Sequence, residues 1–249
     1  MFDLGVDSAV SEQFLEDLQS SIELGSKPHE PSGHYKPSSM NCLRSMYYQA
    51  LKFPLDEKPD GHMRINLGQA GTDRHERIQK QIIKMKKNGF DCEWLSVRDY
   101  LSRYQPNSPL EIKDEEDQIE TKCYYPKYNI SFKCDGIILY RGDVYILEIK
   151  TEGLHKWMGR SGPADGHMNQ VSSYSLCLEI PKILFLYENR DSCHKKTFIY
   201  VVSDMQRQHI IDRVENCNGY VERLIAPPKC ADTRDCYWCK HKTQCKVDK

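Results

Sequence analysis

Ser131-Phe132-Lys133-Cys134-Asp135-Gly136-Ile137-Ile138-Leu139-Tyr140 and, after Arg141-Gly142, Asp143-Val144-Tyr145-Ile146-Leu147-Glu148-Ile149-Lys150-Thr151 are the residues on which the fold turns. β-Branched and aromatic side chains crowd both arms and a glycine-containing turn separates them, so residues 129–140 and 144–151 read as a hairpin. Each arm carries an acid inside an apolar run. With an even-length loop centred on Arg141-Gly142, antiparallel register sets Asp135 opposite Glu148, their β-carbons about 5 Å apart. Lys150 then projects to the face of Glu148, while Ile149 turns away and offers its backbone carbonyl. A three-residue loop would put the two acids on opposite faces.

Two carboxylates this close repel, which raises one of their pKa values unless a cation neutralises them. Magnesium or manganese takes hard oxygen ligands, lowers the pKa of a bound water and clamps a phosphate oxygen, which is the equipment for phosphodiester hydrolysis. Lys150 is placed to orient the attacking water or to balance charge in the transition state. The bland alternative is a surface Glu-x-Lys strand with an Asp near a turn.

Outward from the hairpin, residues 118–125 read as a strand, 168–178 as a helix, and 182–187 and 197–202 as strands. Ser203 with Gln206 is a capping pair opening a helix to about residue 225, which Ala226-Pro227-Pro228 ends. Toward the N-terminus, residues 8–24 read as an amphipathic helix with Val10, Phe14, Leu18 and Ile22 on one face. Pro28, Pro31, Gly33 and Pro37 make 27–39 a loop, after which Ser38 or Ser39 can cap a helix over 41–51. A second loop, 53–63, leads to a helix over 67–87 that Asn88-Gly89 closes, with His75, Ile78, Ile82 and Met85 on one face. The acidic cluster 114–117 reads as a solvated loop. This layout predicts an α/β fold, a mixed central sheet with helices on both sides, followed by a cysteine-rich tail.

A chain of 249 residues holds one full domain plus a small appendage, or two small domains. Its 35 basic and 36 acidic residues exclude a disordered polar tail and a protein that binds nucleic acid by bulk charge, so any contact with DNA must be local. The longest apolar stretches, 137–140 and 144–147, fall far short of the roughly 18 residues a membrane span needs, and the acidic N-terminus shows no signal pattern. The expectation is a soluble, cytoplasmic protein with no membrane partner.

The 11 cysteines are odd in number, which excludes a fully paired disulfide framework and makes metal binding the leading question. Cys42, Cys92, Cys123, Cys134, Cys177, Cys193 and Cys217 are scattered, and apart from Cys42 they read as packing residues. Cys230, Cys236, Cys239 and Cys245 crowd the C-terminal end. Cys236-Tyr237-Trp238-Cys239 with Cys245 is a C-x2-C-x5-C arrangement, and three thiolates need a fourth donor. Elsewhere, His75 can face the sheet as a further metal ligand. Gln170 and Tyr174, four apart on a helix, share a side suited to reaching a phosphate or holding Lys150. Lys84 with Lys86-Lys87, Lys156 with Arg160, His194-Lys195-Lys196 and Lys240 with Lys242 can supply a phosphate track, and nearby Tyr and Trp can stack bases.

Taken in order, these pieces resemble the RecB-type nucleases of the PD-(D/E)xK superfamily, in the iron–sulfur branch that includes CRISPR-associated adaptation nucleases and AddB-type subunits. The match runs over 38–245: Cys42 ahead of Arg44 and Tyr47-Tyr48, then His75, Asp135, Glu148-Ile149-Lys150-Thr151, Gln170 to Tyr174 and three terminal cysteines. The resemblance implies a restriction-endonuclease-like fold, with an N-terminal helical region (1–66), a nuclease core (67–226) and an iron–sulfur tail (227–249) packed on the N-terminal helices. It implies that His75, Asp135, Glu148 and the Ile149 carbonyl bind Mg2+ or Mn2+, that Lys150 is catalytic, and that Gln170 with Tyr174 completes the site. It further implies a [4Fe-4S] cluster joining Cys42 to Cys236, Cys239 and Cys245, and a DNA exonuclease of recombination, replication or repair, alone or with other proteins of those processes. Glu120 is a candidate for a second metal position. One departure is the segment 152–169, with Lys156, Trp157 and Arg160, which is longer than the family pattern. Open alternatives are a structural zinc held by Cys230 with the other tail cysteines or His241, a zinc-ribbon interaction protein on an unrelated α/β domain, and a DNA-end-binding partner with an inactive site.

Overall fold

Arg141 and Gly142 both take positive φ, +49° and +84°, as a two-residue type I′ hairpin turn requires. Tyr140 therefore pairs with Asp143 and Gly136 with Leu147, the register in which Asp135 stands level with Glu148. The computed structural model describes residues 8–25, 30–56, 61–116, 119–231, 236 and 239–248. Of the readings above, those on Pro28, Asp117, Gln118, Tyr237 and Trp238 lie outside these residues.

In chain order the elements begin with α1 (Ser8–Gly25), α2 (Leu43–Ala50), α3 (His62–Lys87), β1 (Cys92–Leu95) and α4 (Val97–Tyr104). There follow β2 (Glu111–Glu116), β3 (Glu120–Tyr125), β4 (Ile130–Lys133), β5 (Gly136–Tyr140) and β6 (Asp143–Glu152). The chain then forms α5 (Leu154–Met158), α6 (Met168–Leu178), β7 (Lys182–Asn189), β8 (Lys195–Val201), α7 (Asp204–Arg223) and α8 (Lys242–Val247). Five strands make the main sheet in the order β1-β5-β6-β7-β8. Only β6 and β7 run parallel, since α5 and α6 cross over between them. β2, β3 and β4 form a second, antiparallel sheet.

Strand alternation divides the core between the two faces of the main sheet. Ile138, Leu147, Ile149 and Leu186 meet Ile78 and Ile82 of α3 on one face. On the other, Ile137, Ile146, Ile183 and Phe185 meet Val171, Tyr174 and Cys177 of α6, backed by Ile210, Val214 and Cys217 of α7. Each fully buried aliphatic side chain contributes roughly 1.5–3 kcal/mol relative to exposure. The class is the expected one, a mixed α/β fold with helices on both sides of a mixed central sheet.

The structure corrects several local expectations. Residues 129–140 are two strands in two sheets, β4 and β5, split at Cys134-Asp135. There the Asp135 carboxylate accepts the Ile149 N–H at 2.6 Å, taking the place a backbone carbonyl would hold in a continuous ladder. Asp114 to Glu116 belong to strand β2 and not to a loop, for Asp114 pairs across to Lys122 and a charged strand at a sheet edge is tolerated. Neither Ser38 nor Ser39 caps α2. Both fall in a 3-10 turn begun by Pro37, the Ser39 hydroxyl accepts from Gln49 (2.6 Å), and Cys42 holds the N-cap position. α3 begins at His62, ahead of the expected start at 67. α1 forms as expected, yet Val10 and Phe14 on its apolar face are 65% and 67% exposed. Cys193 is exposed, unlike Cys92, Cys123, Cys134, Cys177 and Cys217.

The tail is tied to α2. Arg44, 2% exposed, donates Nε to the Pro227 carbonyl (2.7 Å) and a terminal nitrogen to the carbonyls of Cys245 (3.4 Å) and Asp248 (3.3 Å). The Tyr48 hydroxyl donates to the Asp248 carboxylate at 2.8 Å, and the Asp56 carboxylate accepts the N–H groups of Lys242 and Thr243 at the start of α8. No helix among the described residues is long and apolar enough to cross a membrane.

Candidate active site and thiol cavity

β6 runs on to Glu152 while its pairing with β5 ends at Gly136, so a notch opens beside Glu148, Ile149 and Lys150. Asp135, the residue before β5, fills the edge of that notch. One of its carboxylate oxygens accepts from Ile149 N–H, and the other lies 3.2 Å from His75 Nδ1 on α3. A strand residue's N–H and C=O project to the same side, so the Ile149 carbonyl also faces the notch. Gln79, buried on α3, donates to the Asp135 carbonyl at 2.7 Å, fixing the helix that carries His75 against the break. Gly136 is required here, because a Cβ on it would stand 2.2 Å from the Trp94 ring of β1.

Glu148 is 1% exposed, and Lys150 Nζ stands 2.5 Å from its Oε1. Oε1 is thus buried against the lysine ammonium. Burial first, and the charge of Asp135 second, push the Glu148 carboxyl up to about 7, against the opposing pull of Lys150 and His75. For His75 burial pulls the pKa down, but the Asp135 hydrogen bond and charge outweigh it and the net shift is upward. Burial likewise pulls Lys150 down, while Glu148 and Asp135 raise it overall. The repulsion expected between two acids is thus met by Lys150 and His75. Lys150 also donates to Gln170 (3.4 Å), whose amide donates to the Tyr174 hydroxyl (2.7 Å). His75, Asp135, Glu148, Ile149, Lys150, Gln170 and Tyr174 therefore come together in one place. Glu120 does not join them; it pairs with Lys133 in the smaller sheet at 3.3 Å.

A polar group behind Lys150 was not anticipated. Tyr187 pairs with Lys150 across β6 and β7, and its hydroxyl accepts from the Ala164 N–H (3.1 Å) and lies 3.2 Å from His167 Nδ1. Burial, then the charges of Lys150 and Arg160, lower His167 to about 4, so it is neutral. Arg160 pairs with Glu152 and lies 4.8 Å over the Tyr187 ring. Lys196 donates to the carbonyls of Trp157 (2.9 Å) and Arg160 (3.1 Å). The long segment 152–169 is therefore clasped onto the sheet, and Arg160, Lys195 and Lys196, read as part of a phosphate track, are engaged in structure, Lys195 with Glu188. His167 carried no sequence signal, because it reaches Tyr187 only through the turn ahead of α6.

A cavity of about 780 Å³ connects this end of the site to the tail, lined by Lys150, His167 and Gln170 on one side and by Cys42, Cys230, Cys236, Cys239 and Cys245 on the other. His241 lines it too, with Nδ1 buried and lacking a hydrogen-bond partner, and its backbone N–H donates to Cys239 Sγ at 3.4 Å. Among the described residues no group of three or more His, Cys, Asp or Glu lies close enough together, as placed, to hold a metal ion. The donor chemistry of each region nonetheless suits one class of ion. The notch offers an imidazole, two carboxylates and a strand carbonyl, a set for a hard divalent cation. The cavity offers sulfur and an orphaned imidazole nitrogen, a set for iron–sulfur or zinc.

Neither protein-family models nor curated proteins yield a match to this sequence. Among solved structures the chain is similar to the crystal structure of SSO0001, at 15% identity and a TM-score of 0.47, over 97% of this chain and 98% of that one. It is also similar to an alkaline exonuclease (LHK-Exo) from Laribacter hongkongensis, at 12% identity and a TM-score of 0.47, over 93% of this chain and 100% of that one. For LHK-Exo in complex with dAMP the values are 12%, 0.45, 93% and 99%.

Proposed function

We propose that the protein is a metal-dependent DNA nuclease, an exonuclease of recombination, replication or repair, whose thiol cavity holds a [4Fe-4S] cluster on Cys42, Cys236, Cys239 and Cys245. The observation that carries the reading is the convergence of His75, Asp135, Glu148 and Lys150 at a strand-end notch, with Gln170 and Tyr174 holding the lysine. His75, Asp135, Glu148 and the Ile149 carbonyl would hold Mg2+ or Mn2+, which when bound supplies a water of lowered pKa and a clamp on a phosphate oxygen. Lys150 keeps its charge in the notch because two acids face it, and that ammonium is positioned to orient a water and to offset charge on the phosphorus oxygens in the transition state. Gln170 restricts where the ammonium can point, and Tyr174 in turn orients Gln170. Asp135 holds His75 in place through its remaining oxygen. A second reading, structural zinc in the cavity, is favoured by Cys230 and the orphaned His241 nitrogen.

Degradation of end-labelled DNA with Mg2+ or Mn2+ tests the proposal. Lys150→Ala and Glu148→Ala are expected to lose on the order of a thousandfold in rate with unchanged circular dichroism, and chelator to stop the wild type. Either variant degrading DNA as fast as wild type rejects the assignment. Metal analysis decides between cluster and zinc.

A further inference from the structure

His167 has one ring nitrogen fixed and the other free. Tyr187 is fully buried, so the proton of its hydroxyl needs an acceptor. That oxygen already accepts from the Ala164 N–H at 3.1 Å, and among the described residues the remaining partner within reach is His167 Nδ1 at 3.2 Å. The phenol therefore donates to Nδ1, and the imidazole carries its proton on Nε2. An imidazolium would have to donate from Nδ1 as well and would strand the phenol proton, so the ring is neutral. Stacking on the Tyr187 ring, with centroids 6.2 Å apart at 24°, restrains the imidazole further. Nε2–H is left as a donor with no partner among the described residues.

This donor stands beside the reacting groups. Lys150 and Tyr187 are register partners on adjacent strands, which puts their side chains on one face of the sheet, and Lys150, His167 and Gln170 line the same side of the cavity. The charged lining of that cavity is Glu30 against Lys36, Arg44, Lys150, Lys229 and Lys240, so the ligand it favours is an anion. We propose that His167 is a substrate-binding residue, its Nε2–H donating to a non-bridging phosphate oxygen of the DNA strand whose scissile linkage faces Lys150. The inference rests on the reading of the notch as a nuclease site and names a group that fixes the strand within it. Phosphate contacts position a strand without reading its sequence, so His167 sets where the cut falls and not which base is cut.

The test compares the whole chain as wild type, His167→Phe and His167→Gln on end-labelled DNA with Mg2+ or Mn2+. Phenylalanine keeps a ring on Tyr187 and removes the donor, so kcat/KM should fall about ten- to a hundredfold, the worth of one hydrogen bond to a charged acceptor, mostly through KM. Glutamine offers an amide N–H near the position of Nε2 and should recover part of the loss. A linkage scan separates contact from a structural role, using DNA with a single neutral methylphosphonate placed in turn at each position near the cut. At one position the wild type should lose about as much as His167→Phe loses on unmodified DNA, while His167→Phe is insensitive there. In the Lys150→Ala background, where cleavage is expected to be lost, His167→Phe should weaken binding of fluorescent DNA by a similar factor. Wild-type kcat/KM in His167→Phe, unchanged binding, or equal sensitivity of both proteins at every scanned linkage overturns the inference and leaves the nuclease reading standing. Wild-type protein that degrades no DNA with either metal overturns the nuclease reading, and the inference falls with it.

Discussion

Asp135, Glu148 and Lys150 sit beside one another because a two-residue turn sets the register of neighbouring strands, whereas the cavity thiols come from the start of α2 and from residues 230–245, which meet through Arg44 and Tyr48. In the notch a hydrogen-bond ladder does the positioning, and the charged side chains are additions to a frame that stands without them. In the cavity the frame is itself a handful of side-chain contacts between distant segments. Substitutions should therefore separate chemistry from stability in the first region and couple them in the second.

Arg44→Met should break that contrast most forcefully. It leaves the carbonyls of Pro227, Cys245 and Asp248 without their donor, a loss of roughly 3–5 kcal/mol for a buried charged group with several acceptors. At about 2–4 °C per kcal/mol for a chain of this size, the melting temperature should fall by about 10 °C or more. DNA degradation measured well below that temperature should persist, because these acceptors of Arg44 lie in the tail and not in the notch. Loss of activity at unchanged melting temperature would show that the two regions are not separable in this way.

Gly136→Ala probes the notch from the opposite direction, since here a frame residue is expected to disturb chemistry. The added Cβ meets the outer edge of the Trp94 ring, and overpacking of this kind costs about 1–3 kcal/mol. Because Asp135 is the adjacent residue, the same shift should slow DNA cleavage. Trp94→Leu removes the clashing ring atoms, so the double variant should be more stable than the sum of the single effects by about 1 kcal/mol. Strict additivity by urea denaturation would mean that the ring simply moves aside.

What was legible in the chain follows the same division. The hairpin register, α6 over Met168–Leu178 and the Ser203–Gln206 capping box that opens α7 are set by residues a few positions apart, so local chemistry carries them. The break at Cys134-Asp135 was hidden, because the apolar pattern runs straight through it and only the contact with Ile149 N–H ends the strand. Charge alone made β2 look like loop, since a strand at a sheet edge has no need of apolar alternation. Periodicity identified the apolar face of α1 but is silent on what covers it. Within the site, His75 and the Gln170–Tyr174 pair could be placed from helical spacing, whereas His167, Tyr187 and Arg160 depend on how the segment 152–169 folds back, which no short-range pattern encodes.

Proton linkage gives the smallest effect and the sharpest distinction between the two regions. The Glu148 carboxyl is raised to about 7 in the folded protein, above its unfolded value near 4.5. Between those values the folded state holds a proton that the unfolded state has released, so the stability Glu148 contributes is fully present below about pH 4.5 and is lost as pH rises through about 7. His75, also raised, acts in the same direction, its contribution being lost as pH climbs through its folded pKa. Lys150, raised from an already high value, changes nothing in this window. With chelator present, the protein should then be less stable at pH 8 than at pH 5 by on the order of 1–2 kcal/mol, allowing for the ion pair with Lys150. Glu148→Gln should flatten the difference, while Arg44→Met, which lowers stability without touching a notch acid, should lower both ends of the profile alike. A profile that keeps its slope in Glu148→Gln would mean that the buried carboxylate is not the group being titrated, and that the notch is more open to water than its burial implies.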